Sequence, residues 1–123
     1  MKSFLLLCWS LLASGSAAAL TGQEYLALCS LETLKSLQKP AQEARMAFCT
    51  GFVRGVIHGH YVTSKYYDKD PLFCIPSERT YMELTGEVVS RLGVEKTNLD
   101  KPVSGLAIVY FSRAFPCERR QQQ

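Results

Sequence analysis

KPAQEARMAFCTGFVRGVIHGH, Lys39 to His60, decides how this chain folds. Pro40 suits the first turn of a helix, where its missing N–H is not needed. Ala44, Ala47, Phe48, Phe52 and Val56 follow at three- and four-residue spacing, the signature of a helix with a buried face. The stretch predicts one long helix, reaching His60 or Lys65. Cys29 lies ten residues before Lys39 and Cys49 ten residues after it. A hairpin turning near Lys39 therefore sets these two cysteines opposite each other.

The same symmetry recurs downstream. Cys74 and Cys117 flank a turn around Gly93 to Leu99, 23 and 20 residues from Thr97. Two antiparallel helical hairpins, each closed by its own disulfide, account for both pairs. Four cysteines allow three connectivities. The hairpin symmetry selects Cys29–Cys49 and Cys74–Cys117.

The outer helices follow from their end signals. Thr21 and Glu24 have the spacing of a capping box and open a helix expected over Gly22 to Lys39. Its apolar stripe is Tyr25, Leu28, Cys29, Leu31 and Leu34. Thr80 and Glu83 repeat the capping box and open a helix carrying Leu84, Val88 and Leu92, with Gly93 as a left-handed stop. Pro102 starts a last helix with Val103, Leu106, Ala107, Tyr110, Phe111 and Ala114 on its apolar side, ended by Pro116. Val62 to Pro76 reads as the longest irregular stretch, broken by Asp68, Asp70, Pro71 and Pro76. The expected fold is all-α: a small four-helix domain of two hairpins, stapled by two disulfides.

Gly51, Gly55 and Gly59 fall every four residues on one line of the long helix. Each costs about 0.8–1 kcal/mol relative to alanine, so the line suggests close helix packing. In a membrane such spacing pairs helices. Here Arg54, His58 and His60 interrupt the pattern, so packing inside a soluble bundle is expected, with an oligomer contact such as a homodimer as the second option.

The first 19 residues read as a signal peptide: Lys2, an apolar run from Phe4 to Leu12, then Ala17-Ala18-Ala19 before the cleavage point. The run is too short for a membrane anchor. Removal takes Cys8 with it and leaves 104 of the 123 residues, one domain over residues 20–117 and a polar tail over 118–123. Export to an oxidising compartment fits four paired cysteines. The formal charge of +3 falls to +2 without Lys2, too small to argue for nucleic acid or a membrane as a partner, and neither is expected.

Catalytic signatures are sparse. His58 and His60 stand two apart, on different faces of a helix, not at the four-residue spacing of a helical zinc pair. There is no Cys-x-x-Cys, no Gly-x-Ser-x-Gly and no glycine-rich phosphate loop in the sequence. The expectation is a binding protein rather than an enzyme, with no cofactor and no metal. Tyr61, Lys65, Tyr66, Tyr67, Asp68, Lys69 and Asp70 form the candidate partner-binding set, because tyrosine among mixed charges is the composition of protein interfaces.

The cysteine contexts are similar to a known family. Cys49-Thr50-Gly51-Phe52-Val53-Arg54-Gly55, Phe73-Cys74-Ile75-Pro76 and Ala114-Phe115-Pro116-Cys117, in that order behind a signal-like segment, resemble the Rap/Tai immunity proteins of type VI secretion systems. The resemblance spans about Leu20 to Cys117. It implies a small helical periplasmic antitoxin that binds a cognate effector, typically a peptidoglycan amidase, and blocks its cleft. The chain departs from the family pattern at His58, at Val94-Glu95-Lys96 and at Tyr110-Phe111. A general periplasmic chaperone or scaffold, and a small-ligand carrier, are the alternative expectations.

Overall fold

Thr21 opens the first helix through a complete capping box: its hydroxyl accepts from the Glu24 N–H at 3.1 Å and the Glu24 carboxylate accepts from the Thr21 N–H at 2.8 Å. A computed structural model describes residues 18–118 of the chain. The proposed signal peptide lies almost wholly outside the described residues, as does most of the polar tail. Five helices occur among the described residues: α1 Gly22–Cys29, α2 Leu31–Ser36, α3 Lys39–Tyr66, α4 Tyr81–Val94 and α5 Val103–Ala114.

The first expected helix is two. Ser30 sits between them in extended conformation, and its hydroxyl accepts from the Thr33 N–H at 3.2 Å, so it ends α1 and caps α2. A cap satisfies an amide that would otherwise lack a partner, and that local bond favours a new start over continuation. Together α1 and α2 form the first arm of the first hairpin. α3 is the second arm, and Cys29–Cys49 joins them. α4 and α5 form the other hairpin. Cys74, ahead of α4, is bonded to Cys117, beyond α5, so the bridge ties its open end.

The two hairpins close on one core. Tyr25 and Cys29 of α1, Cys49, Val53 and Ile57 of α3, Leu84, Val88 and Leu92 of α4, and Val103, Ala107 and Phe111 of α5 are buried, with Phe73 from the α3–α4 connection. The Tyr25 hydroxyl donates to the Cys49 carbonyl at 2.8 Å, and its ring lies 5.3 Å from that of Phe52. Burial holds the Tyr25 phenol protonated far beyond its ordinary range.

This clamp and the neighbouring disulfide fix the rotation of α3. Cys49, Val53 and Ile57 face inward, while Phe52 and Val56 are half-buried. Ala44, Ala47 and Phe48, expected on the buried face, are exposed. The glycine reading needs the same correction. A Cβ built on Gly51, Gly55 or Gly59 meets no atom within 4 Å, so none of the three supports packing inside the chain.

The glycine that does permit close approach is Gly22, where a Cβ would stand 2.7 Å from Cδ1 of Leu106. There the start of α1 is pressed onto the α4–α5 connection. The N–H groups of Gly22 and Gln23 donate to the Lys101 and Leu99 carbonyls at 3.0 and 2.9 Å, and the Val103 N–H donates to Leu20 at 2.9 Å. Amides at two helix starts, which lack partners within their own helices, are thus satisfied across the junction.

The expected stop at Gly93 does not occur. Gly93 lies inside α4, which ends at Val94 with the Glu95 N–H bonded to Arg91 and Leu92. The left-handed residue of the following loop is Asn98, with φ 65°.

Candidate partner-binding surface

The end of α3 is built by a sequence that looks unsuited to helix. α3 runs through Val62 and Lys65 to Tyr66, so the irregular segment is residues 67–80 and begins five residues later than expected. The helix closes in a Schellman turn. The Asp68 N–H donates to Lys65 at 3.2 Å and the Lys69 N–H to Ser64 at 2.8 Å, with Asp68 left-handed at φ 50°. That position usually takes glycine. Aspartate is among the few residues that tolerate it, which is why the sequence hid the motif.

Beyond the turn the chain doubles back along α3. The Leu72 N–H donates to Nε2 of His60 at 2.9 Å, and the Ile75 N–H to the Tyr61 hydroxyl at 2.8 Å. Phe73, fully buried, stacks on the His60 ring with centroids 4.4 Å apart and lies 5.4 Å from Phe111. The Cys74 N–H donates to the Phe115 carbonyl at 2.8 Å beside the Cys74–Cys117 bridge. The returning segment is therefore held by two side chains of α3, by a core aromatic and by a disulfide.

The candidate set divides on this geometry. Tyr61 is half-buried and braces the segment, with its ring 5.5 Å from Phe73. Tyr66 and Tyr67 face outward, 81% and 65% exposed, and meet edge to face at 5.1 Å. Val62, one turn before Tyr66, is exposed, as is Leu72 at the return. Lys65, Asp68, Lys69 and Asp70 are exposed and take part in no ion pair among the described residues. The result is an apolar and aromatic tip rimmed by uncommitted charges of both signs, on a rigid base. Such a surface offers desolvatable rings with little ordering entropy left to lose on binding.

His58 also has a structural role. Its Nε2 lies 2.5 Å from the Tyr81 hydroxyl, joining α3 to the first residue of α4, and the Arg54 guanidinium lies over the same ring. Both histidines thus hold the ends of the connection between α3 and α4. Spacing alone places the two histidines on different faces of the helix and does not show these partners, which come from distant sequence.

A second cluster, not expected from the sequence, lies at the α4–α5 side. Arg79 pairs with Glu83 and Glu87, and lies over Phe115. Glu87 also accepts from the Tyr110 hydroxyl at 3.0 Å. This accounts for Tyr110 among the departures from the family pattern, while Phe111 fills the core. The bond from the Thr80 N–H, then the Arg79 charge, hold the Glu83 carboxyl below its usual range. The Arg79–Glu83 spacing was the one available signal; the reach to Glu87 and Tyr110 needed the fold. Between α2, α3 and α4 an open apolar cleft of about 290 Å³ runs past Leu31, Leu34, Met46, Met82 and Val89.

Among the described residues no three or more of His, Cys, Asp and Glu converge on one point, and no helix is long and apolar enough to cross a membrane. Neither a curated protein nor a solved structure matches the chain. The family model of the Rap1a immunity proteins matches residues 21–117. The match begins at the Thr21 cap, ends at the Cys117 bridge and takes in both stapled hairpins, so the chain belongs to the Rap1a immunity protein family.

Proposed function

We propose that the protein is a periplasmic antitoxin: it binds one cognate effector, a secreted cell-wall-degrading enzyme of the peptidoglycan amidase type, and occludes its cleft. The observation that carries this reading is the family match across the whole stapled domain. The tip formed by Val62, Tyr66, Tyr67 and Leu72 supports it as the contact surface, since it is exposed and apolar on a base fixed by His60, Tyr61 and Cys74–Cys117. A projecting aromatic surface suits entry into a concave site. Inhibition by binding, rather than by chemistry, is supported by the engagement of both histidines in bonds that hold the fold. The signal-like N-terminus and the paired cysteines support action in the periplasm, and the secretion route is that of the family resembled in sequence.

The test is capture. Oxidised protein is immobilised and exposed to envelope and secreted fractions of the source bacterium. A single stoichiometric peptidoglycan hydrolase is expected. Recovery of many weakly held proteins, or of none, sinks the proposal in favour of a chaperone, scaffold or carrier.

A further inference from the structure

The two disulfides differ in access. Cys29 and Cys49 are each 2% exposed and belong to the core cluster. Cys74 is exposed and Cys117 half-buried, at the open end of the second hairpin. Thiol–disulfide exchange requires an attacking thiolate to reach a sulfur of the bridge. In the folded chain that requirement is met at Cys74–Cys117 and not at Cys29–Cys49.

The surroundings of Cys117 suit a free thiol. Its Sγ lies 3.5 Å from the Pro71 carbonyl oxygen. A bridged sulfur has no proton to offer that oxygen, whereas a thiol is a weak donor. Opening the bridge therefore leaves Cys117 with an acceptor already in place.

The bridge also sits where opening it acts locally. Cys74 follows Leu72 and Phe73 in the segment returning from the tip, and its N–H donates to the Phe115 carbonyl at 2.8 Å. Cys117 lies three residues beyond Ala114, the last residue of α5. The bridge is thus the covalent link between the returning segment and the end of α5. Cys29–Cys49, which joins α1 to α3, is untouched by its opening.

We propose that Cys74–Cys117 is a site of thiol–disulfide exchange with a dithiol oxidoreductase, and that opening it loosens the tip of α3 and weakens the hold on the effector. A thiolate of the oxidoreductase attacks Sγ of Cys74, the more exposed cysteine. The S–S bond breaks, and Cys117 leaves with the electron pair and takes up a proton. The second thiol of the oxidoreductase, as a thiolate, attacks its own partner sulfur in the mixed disulfide. Cys74 leaves in turn and is protonated. The dithiol is oxidised to a disulfide, and the cystine gains two electrons and two protons. The reverse sequence closes the bridge again. The exchange step stands by itself, while the effect on the effector rests on the tip as the contact surface. A loosened segment must be ordered again on binding, and that ordering weakens affinity.

The oxidised protein is treated with reduced thioredoxin as the dithiol, sampled over time, alkylated with iodoacetamide and mapped by mass. Cys74 and Cys117 should be alkylated well before Cys29 and Cys49. The singly opened species should keep its helical circular dichroism, while hydrogen exchange at residues 67–75 accelerates. Separated from thioredoxin, it should need about tenfold more protein to inhibit the captured hydrolase, and unalkylated protein allowed to reoxidise should inhibit like the starting material. A Cys74–Cys117 bridge that thioredoxin leaves closed overturns the exchange site. Alkylation of Cys29 and Cys49 as early as the other pair does so too, as does loss of the helical signal on first opening. Unchanged hydrogen exchange at residues 67–75 overturns the link to the tip. A loosened tip with undiminished inhibition overturns the effect on the effector and the tip as its contact surface, while the exchange site, read without any effector, stands.

Discussion

The N–H of Leu72 donates to Nε2 of His60 at 2.9 Å, while the same imidazole stacks on the ring of Phe73. One side chain thus holds the returning segment by a polar and an apolar contact. It also fixes the tautomer: Nε2 is the acceptor, so the neutral ring carries its proton on Nδ1. The exposed tip is as rigid as this contact.

His60→Phe separates the two roles. The stacking area survives and the acceptor is lost, so stability should fall by about 1 kcal/mol, the worth of one ordinary hydrogen bond. Hydrogen exchange at the Leu72 amide should accelerate markedly. Unchanged exchange at Leu72 would show that His60 does not hold the segment.

The glycines provide a paired comparison. Gly55→Ala, in open space, should stabilise dilute protein by about 0.8–1 kcal/mol through helix propensity. Gly22→Ala should destabilise by about 1 kcal/mol, the low end for overpacking, because the Leu106 methyl it meets can shift. Thermal or urea melts of the two variants check the signs. A destabilised Gly55→Ala would restore the packing role expected from the sequence.

Each disulfide constrains the unfolded chain in proportion to the logarithm of its loop. The separations are 20 residues for Cys29–Cys49 and 43 for Cys74–Cys117. Loop entropy gives about 3 and about 4 kcal/mol respectively. Replacing Cys74 and Cys117 together by serine should therefore cost slightly more than replacing the other pair. It should also raise exchange at residues 67–75, which the Cys29/Cys49 variant leaves protected. Equal protection of that segment in both variants would contradict the bracing role of the second bridge.

Glu83 sets a direction for pH dependence. Its carboxyl is depressed by the Thr80 N–H and by Arg79, so the folded state favours the charged form. The associated stability is present above the carboxylate's unfolded value and is lost as pH falls through the lower folded value. Glu83→Gln keeps the capping geometry but removes the charge. Its melting temperature should depend less on pH across the acidic range than that of wild type. Parallel pH profiles would contradict the assignment.

The parts of this fold legible in sequence were those written locally. Both capping boxes, Pro40 at the start of α3 and the burial of Leu84, Val88 and Leu92 follow from residues a few positions apart. The cysteine pairing was legible because hairpin symmetry makes it local in effect. The parts missed depend on long-range contacts. Ser30 ends a helix because its cap competes with continuation. Asp68 conceals a turn that glycine would have announced. The rotation of α3 is set by Tyr25 and Cys29 across the hairpin, and it turned the glycine line from the core to the outside. Of the candidate binding residues, Tyr66 and Tyr67 are exposed and Tyr61 is a brace; Tyr61 and Tyr66 stand about 140° apart on α3, a difference that the helical period shows only once the helix is known to run to Tyr66.

The immunity reading turns on whether this protein stops an enzyme. The direct measurement is the peptidoglycan-cleaving activity of the captured hydrolase, titrated with oxidised wild-type protein and with the Tyr66→Ala/Tyr67→Ala variant. Activity should fall to background near one molar equivalent of wild type, while the variant, equally stable, should need at least about tenfold more, as expected for loss of an aromatic hot spot. A hydrolase that remains fully active in excess wild-type protein would contradict the immunity role, and equal inhibition by the variant would remove the tip of α3 from it.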